Sequence, residues 1–80
     1  MSSTPELITE DGLRELARAN SVQALQARRA GDRYALVARI GMGERTLRSR
    51  REEVRTWANL NTLARYVREK LGIGRFEVVG

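Results

Sequence analysis

Eighty residues with a net charge of +5, no cysteine and no histidine describe one small domain that lacks disulfides and the usual zinc ligands. It sits near the lower size limit at which a single apolar core suffices. The absence of cysteine fits a reducing cytoplasm. Residues 1–10 lack the basic and apolar stretches of a signal peptide, and no segment has the length of a transmembrane helix.

Residues 1–8 hold the only proline and are read as a flexible N-terminal lead to a single domain over 9–80. From Thr9, the run Thr-Glu-Asp-Gly-Leu-Arg-Glu-Leu-Ala-Arg-Ala reads as a short helix. Thr9 is its cap, Glu10 and Asp11 suit the positive end of the helix dipole, and Leu13, Leu16 and Ala17 form its apolar side. Asn20 and Ser21 end it.

Residues 22–29 carry two opposed signals. Their Ala, Gln, Leu and Arg content favours helix by propensity, whereas the following Ala30-Gly31-Asp32 is a tight-turn signal that leads into an evident strand. The hairpin reading makes 22–29 the first strand; a helix there would remove one member from the sheet. Residues 33–40 alternate clearly, with Tyr34, Leu36, Ala38 and Ile40 on the core side and Arg33, Ala35, Val37 and Arg39 on the other. Gly41-Met42-Gly43 is a turn, and residues 44–51 return as the third strand with Leu47 as its core anchor and Thr46, Arg48 and Arg50 facing away. Val54 and Trp57 pack in the connection that follows.

The helix expected between Asn59 and Gly72 organises the rest. Leu60, Leu63, Ala64, Val67 and Leu71 form one stripe at a spacing of three and four, Asn59 suits the N-cap, and Gly72 suits the left-handed closing position. So short a helix needs a surface to lie on. Residues 75–79 then close the sheet, with Phe76 and Val78 as core residues. The expected fold is α+β: a small antiparallel sheet of three to four strands on one main amphipathic helix, with a short N-terminal helix, in the order α-β-β-β-α-β.

Fourteen of the 15 basic residues are arginines. Nine of them lie between Arg28 and Arg55, against four acids (Asp32, Glu44, Glu52 and Glu53), while the rest of the chain has six bases and six acids. The excess positive charge therefore belongs to the middle third, an electrostatic footprint of the kind that attracts phosphate. Arg33, Arg39, Arg45, Arg48, Arg50 and Arg51 are the candidate nucleic-acid contacts. On a strand face, arginines can fork onto phosphate or guanine, and a β-ribbon fits the major groove of DNA, with Val37 and Thr46 as small contacts between them. The bland alternative is that arginine stems cover the open side of a one-sided sheet while their charges stay in water. Tyr34 and Trp57 are read as core residues rather than as stacking platforms for bases.

Nothing points to an enzyme. The usual nucleophile activators are missing, Glu52 and Glu53 lie among arginines that keep them ionised, and Gly41-Met42-Gly43 lacks the third glycine and the following helix of a nucleotide fingerprint. No catalytic residue, cofactor or metal site is expected.

The run Arg33-Tyr34, Ala38-Arg39-Ile40-Gly41, the arginine-rich third strand and Trp57-Ala58-Asn59-Leu60 resembles the arm-type DNA-binding domains of tyrosine recombinases. That resemblance covers residues 22–71. It implies a three-stranded sheet packed on one helix and docked in the major groove. The chain departs from that pattern in its last strand and in having no catalytic domain. Val37-Ala38-Arg39-Ile40-Gly41, Glu44-Arg45-Thr46-Leu47, Trp57-Ala58-Asn59-Leu60-Asn61-Thr62 and Arg75-Phe76-Glu77-Val78 are similar to small ParC-type, partition-associated proteins of plasmids and integrative elements. This second likeness spans most of the chain and implies an accessory role beside such an element. The expectation is a non-enzymatic basic protein that binds nucleic acid through an arginine-rich sheet face. The competing class is an interaction adaptor or homodimerising module, joined through an edge strand and without DNA contact.

Overall fold

The computed structural model of the chain describes residues 6–51 and 53–79, and the strand with the clearest alternation lies at the middle of its sheet. Arg33–Ile40 (β3) runs antiparallel to Ala24–Ala30 (β2) on one side and to Gly43–Leu47 (β4) on the other. Both hairpins turn on two residues with glycine first, Gly31-Asp32 and Gly41-Met42. The two glycines take the left-handed φ, 67° and 61°, that a type II′ turn requires at this position. Seven successive pairs with β3, from Ala24↔Arg39 to Ala30↔Arg33, hold β2 as a strand against its helical propensity.

The helices cover one side of this sheet. Glu10–Arg18 (α1) starts at Thr9, whose Oγ1 accepts from the Gly12 N–H at 3.0 Å, and stops before Asn20, which turns at a φ of 60°. Leu60–Tyr66 (α2) starts at Asn59, whose Oδ1 accepts from the Thr62 N–H at 2.9 Å. It continues as a π-helical turn, Val67–Leu71, closed by Gly72 at a φ of 70°. Leu63, Tyr66, Val67 and Leu71 meet Leu13, Leu25, Ala27, Leu36, Ala38, Leu47 and Trp57 in one buried cluster, with Tyr34 and Ile40 half-buried against it. Each fully buried leucine contributes roughly 1.5–3 kcal/mol. Tyr66 is the core member that the stripe omits. No helix among the described residues is long and apolar enough to cross a membrane.

Three features correct the α-β-β-β-α-β order. Leu7–Ile8, at the end of the expected lead, is a strand (β1) parallel to β4, with Leu7↔Thr46 and Ile8↔Leu47. Two residues are too few to show a period; residues 1–5 lie outside the described residues. The third strand, expected over 44–51, stops at Leu47. Residues 48–51 and 53–55 make an excursion outside the named strands, and the line along β3 resumes with Thr56–Trp57 (β5), where Thr56 faces Ala35 and Trp57 faces Tyr34. The neck of this excursion is closed by the Arg55 N–H donating to the Leu47 carbonyl at 2.9 Å, and Arg48 bridges Val54. Its cause is the side-chain parity: after Leu47 the next core-side positions would be Ser49 and Arg51, whereas Trp57 fills the place with apolar surface.

The third correction is the sheet itself. Glu77–Val79 (β6) pairs with β2 in parallel, so the sheet is mixed, six-stranded, and ordered β1-β4-β3-β2-β6 with β5 beside β3. Phe76 is half-buried against the core as expected. Val78 is not in the core: it is 55% exposed, because β6 is an edge strand and the helices pack over the centre.

Candidate nucleic-acid interface

The register separates the six arginines singled out by the sequence into three places. Arg33 and Arg39 lie on the open face of the sheet, in the same set as Ala35 and Val37. Arg45 pairs with Ala38, a core-side residue, and so lies on the helix-covered side at the sheet's margin, where its Nε meets Glu6 Oε2 at 2.9 Å. Arg48, Arg50 and Arg51 belong to the excursion and to no strand. The expected single face with Arg33, Arg39, Arg48 and Arg50 side by side is therefore not formed.

On the open face, regular strand spacing gives Arg28 and Arg33 partners to reach. Arg28 donates from Nε and Nη2 to Gln26 Oε1 at 2.9 and 2.7 Å, and from Nη2 to Glu44 Oε2 at 2.7 Å. Gln26 is on β2 and Glu44 on β4, so the Arg28 side chain must cross β3 near Val37. Val37 is 5% exposed, which removes it as a contact for a base. Arg33 donates from Nε to Thr56 Oγ1 at 2.6 Å and from Nη2 to the Thr56 carbonyl at 3.1 Å. Arg39 alone among these three carries no side-chain partner among the described residues. With Glu44 and Glu77 on the same face, three cations there face two acids.

A different arrangement occurs on the helix side. Arg48, Arg50 and Arg55 from the excursion and Lys70 from the π-helical turn line one cleft of about 760 Å³, beside Glu10 and Asp11 at the start of α1 and the hydroxyl residues Thr9 and Ser49. Arg55 is held by two aromatic rings and a carboxylate. Its Cζ lies 4.9 Å from the Trp57 ring centroid and 4.7 Å from that of Tyr66, and the two rings are 5.2 Å apart at 51°. Its Nη1 approaches Glu10 Oε1 at 3.4 Å, while the Tyr66 hydroxyl donates to the same oxygen at 2.8 Å. Burial, then the hydrogen bond to Glu10 and the Glu10 charge, push the Tyr66 phenol far above its ordinary value, so it stays a donor. Arg50 and Lys70 are exposed and unpaired among the described residues, as is Arg51, next to Arg50 in the chain.

A second groove, of about 570 Å³, runs past Val22, Leu25, Ile73 and Phe76. Its one cation among the described residues, Arg75, is accompanied by Glu77, so it lacks the convergence of positive charge seen in the cleft.

Arg55, Lys70, Glu10 and Tyr66 were not among the candidate residues. Lys70 reads as one more solvated charge on a helix face, and a contact spanning 56 positions between Glu10 and Tyr66 leaves no local pattern. The nearest signal is Arg55 two residues before the only tryptophan. Glu52 lies outside the described residues, and Glu53 is exposed. Compared with known proteins, the chain matches no family model, no curated protein and no solved structure.

Proposed function

We propose that this chain is a non-enzymatic basic protein that binds nucleic acid by its phosphate backbone, through the cleft rather than through the sheet face. The observation that carries the reading is the convergence of Arg48, Arg50, Arg55 and Lys70 on one concavity. Arginine and lysine bind phosphate by charge and by forked hydrogen bonds. Arg51, exposed beside Arg50 in the excursion, extends that charge along the chain, as binding to a polymer of phosphates requires. Backbone contacts position a protein without reading sequence, so discrimination between sequences is weak. An accessory role on a plasmid or integrative element extends the proposal and rests on the likeness to partition-associated proteins alone.

Fluorescence anisotropy against random duplex DNA over a salt series tests it. If each cleft cation meets one phosphate, log affinity falls against log salt with a slope of roughly −3 to −4. Binding that is absent at low salt, or that ignores salt, ends the proposal. One observation favours the adaptor reading: Val78 and Val79 are 55% and 41% exposed on the unpaired edge β6. A second copy pairing there would show as a dimer in sedimentation that Val79→Pro dissolves.

A further inference from the structure

Glu10 occupies an unusual place for a surface carboxylate. It lines one cleft together with four cations, and its partners are unequal. The Tyr66 hydroxyl holds it at 2.8 Å, whereas the Arg55 guanidinium is 3.4 Å away, beyond the range of a strong charge-assisted bond. Arg55 in turn does not depend on Glu10 for its position, since two aromatic rings lie against its guanidinium. Of its five N–H donors, only the one toward Glu10 makes a side-chain hydrogen bond among the described residues.

From this geometry we infer that Glu10 is a resident anion which a phosphate group must displace from Arg55. The inference rests on the cleft being the phosphate-binding surface. Displacement is cheap in structure: the carboxylate gives up its weaker partner and keeps Tyr66, while Arg55 stays on its rings and turns its free donors to the phosphate. Glu10 thereby lowers the affinity of the cleft for phosphate and favours ligands that bring several phosphates at once, which Arg48, Arg50 and Lys70 engage together. A single phosphate, competing for Arg55 alone, gains little over the carboxylate already present.

The test is Glu10→Gln, which keeps an acceptor for the Tyr66 hydroxyl and removes the charge; Glu10→Ser replaces it should circular dichroism show that the glutamine variant is unfolded. Glu10→Gln is expected to bind random duplex DNA about 3- to 10-fold more tightly at low salt, with the salt slope steeper by about one. Adding Arg55→Gln is expected to erase that gain. An independent readout uses inorganic phosphate alone. Trp57 is the only tryptophan and lies under Arg55, so its fluorescence should change saturably with phosphate in Glu10→Gln and not in Glu10→Gln/Arg55→Gln. A folded Glu10→Gln protein that binds DNA no more tightly than the native chain, with Trp57 unresponsive to phosphate, overturns the inference and leaves nucleic-acid binding standing. A Trp57 response to phosphate without DNA binding in either protein does the reverse: the phosphate seat stands and the nucleic-acid reading falls.

Discussion

The open face of the sheet and the helix-side cleft are furnished with the same kind of residue and differ in what the backbone does beneath it. On the face, Arg28, Arg33 and Arg39 stand on paired strands, where cross-strand neighbours lie at fixed short spacing. Two of the three find partners there: Arg28 takes Gln26 and Glu44, and Arg33 takes Thr56. In the cleft the cations stand between β4 and β5 and on a π-helical turn, where no ladder supplies neighbours at regular intervals. Arg50 and Lys70 remain unpaired among the described residues. The number of arginines in a stretch therefore says little about how many are available to a ligand: strand register engages Arg28 and Arg33, whereas Arg50 and Lys70 stand where no register reaches them.

Both regions hang from one core, and the largest expected effect is on both together. Leu36 is fully buried at the centre of β3, at the level where β4 ends and the excursion begins. Leu36→Ala should cost roughly 2–5 kcal/mol by urea unfolding. If the excursion were an independent unit, its contacts would survive in the variant: near-ultraviolet circular dichroism of Trp57 would persist beyond the main unfolding transition. A single transition for both probes is expected.

Charge reversal sharpens the contrast next. Arg50→Glu with Lys70→Glu should weaken duplex binding by more than about tenfold, equivalent to roughly 1.4 kcal/mol. Arg33→Glu with Arg39→Glu changes the net charge equally and should weaken it by no more than about threefold, since only long-range attraction is lost. Equal losses in anisotropy at matched salt would erase the distinction between face and cleft.

How far the sequence revealed this arrangement follows from the range of the interactions involved. Alternation over 33–40 placed Leu36 and Ala38 in the core, and the caps Thr9, Asn59 and Gly72 were readable because each acts within six residues. The parallel strands β1 and β6 were not readable as such: their partners Thr46 and Gln26 lie far along the chain, and parallel pairing has no local turn signature. The excursion was hidden for another reason. Residues 44–51 alternate well enough to continue a strand, and only the competition between Trp57 and the polar Ser49 and Arg51 for the core side ends it at Leu47. The cleft inherits that blindness, because its walls are the excursion and a π-helical turn, and its acids come from a helix 45 positions before Arg55.

The last substitution, with the least effect, probes the group that holds Glu10. Tyr66→Phe removes the hydroxyl that donates to Glu10 at 2.8 Å while keeping the ring against Trp57 and Arg55. A lost hydrogen bond of this kind costs about 1 kcal/mol at neutral pH. The pH dependence separates this from a packing defect. Because burial and then Glu10 raise the Tyr66 phenol above its ordinary 10.0, the native state holds that proton more tightly than the unfolded chain does. Its contribution is therefore complete below pH 10.0 and declines as the pH rises past that value. The native protein should lose stability between about pH 9 and pH 11.5 more steeply than Tyr66→Phe, in urea unfolding followed by circular dichroism. All other titrating groups are common to the two proteins, so the difference in slope belongs to this phenol. Parallel curves would mean that the native state holds this proton no more tightly than the unfolded chain, with neither burial nor Glu10 acting on it.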